Sequence, residues 1–271
     1  MKPVILLSFL LTFVHAAYAE KPAQFVFKPS KGEGPFPVAV WLQGYRGYSA
    51  EGYFPGERRA ALQMHADKTG AVIVGFPATT DLGDGTQQWS EEPVADHAYI
   101  QYRLALIAKT EKLDLKRVVL FGFSQGAMVA GDIATIYPES YIGAILMSPG
   151  GVGNPKATGV KNPNHARQFY FCFCGAKEHE GNVELTKAYA THFKDVLGAK
   201  TTLKLYPDVE KHTRPPDFMT EFPNWIDSIF EVRRGTRTRA EQDGSEQPAT
   251  APESKPEGEK KPKPESEGRS Q

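Results

Sequence analysis

Arg117-Val118-Val119-Leu120-Phe121-Gly122-Phe123-Ser124-Gln125-Gly126-Ala127-Met128 carries the pattern on which the reading of this chain turns. The run Arg117–Phe121 is rich in β-branched and aromatic residues and lacks polar alternation, as a strand buried on both faces does. Gln125–Tyr137 has helical spacing and stops at Pro138. Between them stands G-x-S-x-G. Its glycines permit a sharp strand-to-helix turn that lifts the Ser124 hydroxyl above a sheet, beside a helix N-terminus that favours developing negative charge. A serine that merely caps a helix is the plainer alternative. The flanking strand and helix favour a nucleophile.

Outward from this turn, Phe36–Leu42, Ala71–Phe76, Tyr141–Met147, Gln168–Cys174 and Thr201–Tyr206 also read as strands. Gly56–Thr69, Pro93–Thr110, Asn182–Leu197 and Pro216–Phe230 read as helices, with stops at signals such as Gly70 and Gly198. The alternation predicts an α/β fold, a mostly parallel central sheet with helices on both faces. Ligand sites in such sheets lie at the carboxyl ends of the strands.

The ends have a different character. Lys2, the apolar run Val4 to Val14 and Ala17-Tyr18-Ala19 have the layout of a secretory signal peptide over residues 1–19, with cleavage expected after Ala19 and a secreted, periplasmic or cell-envelope location. The apolar run is too short to span a bilayer as a helix, so no membrane span is expected. Residues 20–232 are expected to form one domain. From Arg233 to Gln271 no large apolar residue occurs, which predicts a disordered charged tail rich in Pro, Glu and Lys.

Lys plus Arg and Asp plus Glu number 32 each, so no whole-chain field favours nucleic acid. Gly44 to Gly52 lacks the ending of a phosphate loop, and Gly150-Gly151-Val152-Gly153 lacks dinucleotide-binding spacing. The only cysteines, Cys172 and Cys174, read as buried free thiols, and no second Cys or His pair stands at metal-ligand spacing. No cofactor and no metal are expected.

The stretch Asp114 to Met128, with Tyr137-Pro138-Glu139 and Gly143-Ala144-Ile145-Leu146-Met147-Ser148, resembles the α/β-hydrolase superfamily. Within it, the likeness is nearest to phospholipase/carboxylesterase and polyhydroxybutyrate-depolymerase-like esterases, from roughly Val38 to Trp225. The resemblance implies a serine esterase with Ser124 as nucleophile and the order Ser, acid, His along the chain. His212, in the loop after Thr201–Tyr206, stands where the superfamily places its base. Cys174-Gly175-Ala176-Lys177-Glu178 is similar to a G-x-x-D turn with Glu for Asp, which makes Glu178 the first candidate acid and leaves Glu180 and Asp208 as alternatives. The backbone N–H groups of Gln125 and Tyr45 are the implied oxyanion donors, although Gln43-Gly44 replaces the family's common His-Gly.

Residues Ser148 to Gln168 offer few apolar side chains, which argues against a greasy lid. Trp89 and Tyr48 are expected near the catalytic end as substrate-lining aromatics, Trp89 with a core-packing alternative. These features favour a small-molecule or carbohydrate-linked ester with a short or phenolic acyl group. A peptidase or dienelactone-type hydrolase of the same fold, or a noncatalytic cell-envelope binding protein, are the competing readings.

Overall fold

The computed structural model describes residues 24–48, 56–90, 92–150 and 161–243. Ten strands are described: β1 (Phe25–Phe27), β2 (Phe36–Leu42), β3 (Gly47–Tyr48), β4 (Val72–Gly75), β5 (Thr80–Asp81), β6 (Thr86–Gln88), β7 (Leu113–Phe123), β8 (Gly143–Met147), β9 (Phe169–Gly175) and β10 (Lys200–Tyr206). The helices are α1 (Gly56–Thr69), α2 (Pro93–Ile107), α3 (Gln125–Ile136), α4 (Glu180–Thr191) and α5 (Phe218–Asp243). Seven strands form the main sheet in the order β1-β4-β2-β7-β8-β9-β10. Only the β1–β4 pair is antiparallel.

Strand alternation sorts the core into two layers. Val38, Val40 and Leu42 of β2 face one side with Tyr99, Ile100 and Leu104 of α2, Ala130 and Ile133 of α3, and Leu185 and Tyr189 of α4. Ala39 and Trp41 face the other side with Leu62 and Ala66 of α1 and Phe222, Ile226 and Ile229 of α5. Both faces of the central strands are therefore covered, which is why β2, β4 and β8 are buried at every position. Cys172 and Cys174 of β9 are buried free thiols.

Four features differ from the sequence expectations. Strand β7 starts at Leu113, before the run that reads as a strand. The segment expected as one helix to Leu197 is α4 followed by a π-helical turn at His192–Val196. Strands β3, β6 and β5 form a second, three-stranded antiparallel sheet. Pieces this short show too little periodicity to be found from sequence. Helix α5 runs to Asp243, past Arg233, where composition alone begins the tail. The rest of that tail and the signal segment lie outside the described residues. Among the described residues, no helix is long and apolar enough to cross a membrane and no group of three or more ligating side chains could hold a metal ion.

Candidate active site

In register, Gly122 of β7 pairs with Leu42 of β2 and with Leu146 of β8, so the segments leaving these three strands emerge side by side. Ser124 is the first residue beyond β7. Its amide donates to the Met147 carbonyl at 3.0 Å, and its backbone is held at φ 56°, ψ −123°, a left-handed conformation that an L residue adopts only when its surroundings enforce it. Two glycines allow this turn. A Cβ on Gly122 would lie 2.3 Å from the Gly126 carbonyl oxygen, and one on Gly126 would lie 2.1 Å from the Leu42 carbonyl oxygen. The turn delivers Ser124 to the N-terminus of α3, where the amide of Gln125 opens the helix.

His212 and Glu178 come from the loops beyond β10 and β9. The β9 loop is fixed by the Ala176 amide donating to the Tyr206 carbonyl at 2.8 Å and the Lys177 amide donating to the Val209 carbonyl at 3.1 Å. Nδ1 of His212 hydrogen-bonds Oε1 of Glu178, and the imidazole packs on the Phe123 ring with centroids 4.7 Å apart. A point one Cβ bond from Gly150 lies 2.9 Å from Ser124 Oγ and 3.6 Å from His212 Nε2, so both atoms border the same small space.

Glu178 is buried and surrounded by donors. Asn182 Nδ2 donates to Oε1 at 2.7 Å, Ser148 Oγ to Oε2 at 2.8 Å, and the Cys174 thiol lies 3.4 Å from Oε2. Burial opposes ionisation of the carboxyl, but the hydrogen bonds from His212, Asn182 and Ser148 prevail and hold it down to about 2. The two alternative acids stand elsewhere. Glu180 is exposed in the first turn of α4, and Asp208 is an exposed partner of Lys177 at 3.4 Å. Ser148 and Asn182 are the residues that sequence reasoning missed. Ser148 is the last residue of the quoted family-like stretch, and Asn182 stands one helical turn beyond Glu178, which were the available signals.

On the other side of Ser124 lies the loop after β2. A Cβ on Gly44 would be 3.2 Å from Ser124 Cβ, so the loop backbone passes directly against the serine. The Gly47 amide donates to the Gly44 carbonyl at 3.1 Å. In a planar trans peptide the carbonyl and the following N–H point in opposite directions, so this bond turns the Tyr45 amide away from Gly47. Gln43, the residue that replaces the family's His, reaches across the same turn, with Nε2 at 3.4 Å from the Gly47 carbonyl. The Tyr45 ring is exposed.

Trp89 is corrected by the structure. It is fully buried, with its indole N–H donating to the Gln43 carbonyl at 3.0 Å, so it belongs to the core and lines no substrate space. Tyr48 lies in β3 with its side chain outside the described residues, and residues 151–160 of the stretch expected to lack a greasy lid are also outside them.

The phospholipase/carboxylesterase family model matches residues 95–229, which contain Ser124, Glu178 and His212. The chain belongs to the α/β-hydrolase superfamily. Among solved structures, esterase PE8 is 18% identical with a TM-score of 0.59 over 77% of this chain and 99% of its own. The Bacillus cereus carboxylesterase is 17% identical with a TM-score of 0.57, covering 80% of this chain and 99% of its own. An esterase from Butyrivibrio proteoclasticus solved with ferulic acid is 11% identical with a TM-score of 0.53, covering 79% of this chain and 95% of its own. A search of curated proteins finds no match. The family match supports a hydrolase of the esterase type.

Proposed function

We propose that this protein is a serine esterase that hydrolyses a carboxylic ester through an acyl-Ser124 intermediate. The observation that carries the reading is the shared space of Ser124 Oγ and His212 Nε2, with the opposite nitrogen of the same ring on the Glu178 carboxylate.

Nε2 of His212 takes the Ser124 hydroxyl proton as Oγ attacks the substrate carbonyl carbon, and Glu178 stabilises the imidazolium that forms. The carbonyl oxygen becomes the oxyanion and accepts hydrogen bonds from the Gln125 and Tyr45 amides. On collapse, His212 returns the proton to the departing alkoxide, which leaves as the alcohol. A water molecule then repeats the sequence on the acyl-enzyme and releases the acid. Nothing in this sequence calls on a cofactor.

The substrate proposed is a short-acyl, carbohydrate-linked or phenolic ester, with the exposed Tyr45 ring as a stacking surface beside the oxyanion turn. The chain is further proposed to be exported and cleaved after Ala19, on the layout of its first residues. Mass spectrometry of the native protein tests this: an N-terminus at Glu20 is expected, and a retained Met1–Ala19 segment would defeat it.

Labelling with a fluorophosphonate tests the nucleophile, together with turnover of p-nitrophenyl acetate. Wild type should label once and turn over, and Ser124→Ala should do neither; equal labelling of both would remove the assignment. Parallel peptide and lactone substrates separate ester hydrolysis from the peptidase and dienelactone-type readings.

A further inference from the structure

Trp89 contacts both segments from which the proposed oxyanion donors arise. Its backbone amide donates to Gln125 Oε1 at 3.1 Å, and its indole N–H donates to the Gln43 carbonyl at 3.0 Å. We propose that Trp89 is a positioning residue that sets the separation and direction of the Gln125 and Tyr45 amides. The proposal rests on the serine-esterase reading and assigns a further residue to the same site.

The physical need for such a residue is specific. An oxyanion is stabilised by two donors only when each lies about 2.7–3.1 Å from where the charge develops, and misplacement by a fraction of an ångström weakens both bonds. The two amides belong to distant parts of the chain. Gln125 stands on the turn between β7 and α3, and Tyr45 on the loop after β2. Their approach is close: a Cβ on Gly126 would lie 2.4 Å from the Gln43 carbonyl oxygen. That same oxygen receives the indole N–H. Holding it fixes the Gln43–Gly44 peptide plane, and the Gly47-to-Gly44 bond then fixes the plane that contains the Tyr45 N–H. On the other side, the Gln125 side chain is tethered through its Oε1 to the Trp89 backbone.

Trp89 is itself anchored from behind. The next residue, Ser90, donates to Asp96 Oδ1 from its amide at 3.2 Å and from its hydroxyl at 2.8 Å, while Thr79 donates to the same oxygen at 2.9 Å. Tyr99 stands edge-on to the indole, with ring centroids 6.4 Å apart, and its hydroxyl donates to the Pro77 carbonyl at 2.8 Å. Asp96 and Tyr99 both belong to α2, so the helix transmits its rigidity through Trp89 to the two donors.

Trp89→Phe keeps a buried aromatic ring and deletes the bond to Gln43. Gln125→Met keeps the residue-125 amide and deletes the bond to the Trp89 backbone. Each variant is expected to lower kcat on p-nitrophenyl acetate by about tenfold or more with KM changed little, since the lost interaction acts mainly in the transition state. The inhibition constant of an alkylboronic acid, which mimics the tetrahedral intermediate at Ser124, should rise in proportion to the loss of kcat/KM. A packing role alone would lower Tm and leave both kinetic quantities unchanged well below it. Wild-type kcat and boronate affinity in a folded variant of either kind would overturn the proposal, and Gln125→Met decides the matter if Trp89→Phe does not fold. A wild-type protein that neither turns over esters nor binds the boronate would instead defeat the esterase reading, and this proposal with it.

Discussion

Gly150 lies against Ser124 so closely that a Cβ at position 150 would stand 2.9 Å from the serine Oγ and 3.5 Å from His212 Cε1. The chain leaving β8 thus forms one wall of the space in which the serine and the imidazole meet. A methyl group there must displace Oγ from its place toward the ring or occupy the position of the substrate carbonyl. Gly150→Ala is expected to lower kcat by about 10- to 100-fold, because sub-ångström displacement of reacting atoms is costly. Steady-state kinetics beside a thermal melt check this, with an essentially unchanged Tm expected; full activity would show that the serine has room to yield.

The conformation of Ser124 should be visible as stability. A non-glycine residue at φ 56°, ψ −123° stores on the order of 1–3 kcal/mol. Ser124→Gly should therefore melt about 2–4 °C or more above Ser124→Ala, both being inactive, since about 1 kcal/mol corresponds to that shift in a domain of this size. Equal melting temperatures would mean that the turn holds no strain.

Replacing the acid separates Glu178 from its neighbours. Glu178→Gln should lower kcat by several orders of magnitude, because the amide can hold the wrong imidazole tautomer. Glu180→Gln and Asp208→Asn should cost little, since their carboxylates are exposed and away from His212. Ser148→Ala should fall between, because it strips one donor from Glu178 and leaves the His212 contact in place. Kinetics of the four variants give the ranking, and a severe loss in Glu180→Gln with none in Glu178→Gln would transfer the role.

Acid should destabilise the fold in two stages. His65 of α1 is fully buried, its ring nitrogens have no hydrogen-bond partner, and it packs on Phe222 with ring centroids 5.2 Å apart. Burial, and then the charge of Lys68, lower its pKa from 6.5 to about 4. Below pH 6.5 the unfolded chain therefore binds a proton that the folded chain refuses, and stability falls from there to about pH 4. The stabilisation from Glu178 is complete above the usual carboxyl value of 4.5 and is lost as pH falls from there toward 2. His65→Leu should lessen the fall of Tm between pH 6.5 and 4.5, with the rest of it left to His97 and His192, whose pKa values burial also lowers, and should keep the lower limb. A variant that tracks the wild type over the upper range would show that His65 is not its source.

The elbow was legible because strand, glycines and helix agree within a dozen residues, each a local signal. The order Ser, acid, His and the turn Gly175 to Glu178 point to Glu178 and His212, and in the structure these two side chains are hydrogen-bonded to each other. For Trp89 the sequence leaves lining and core packing both open, because it places an aromatic at the catalytic end of a sheet but does not tell whether its ring points into the opening or beneath it; the buried ring settles it as core. The donors Ser148 and Asn182 escaped because a hydroxyl or an amide acquires its role only when the folded chain presents a carboxylate to it. The small sheet of β3, β6 and β5 escaped because two or three residues carry no period.

The two cysteines of β9 give this chain a chemical tolerance. Burial drives the Cys172 thiol far above its ordinary range, and burial together with the neighbouring Glu178 carboxylate pushes Cys174 up to about 11. Oxidants and alkylating agents attack the thiolate, and neither sulfur supplies it at neutral pH. A protein proposed to leave the cytoplasm would thus meet thiol-oxidising enzymes after folding with no sulfur to offer them, and would need neither a disulfide isomerase nor a reductant to keep its proposed acid-base machinery intact.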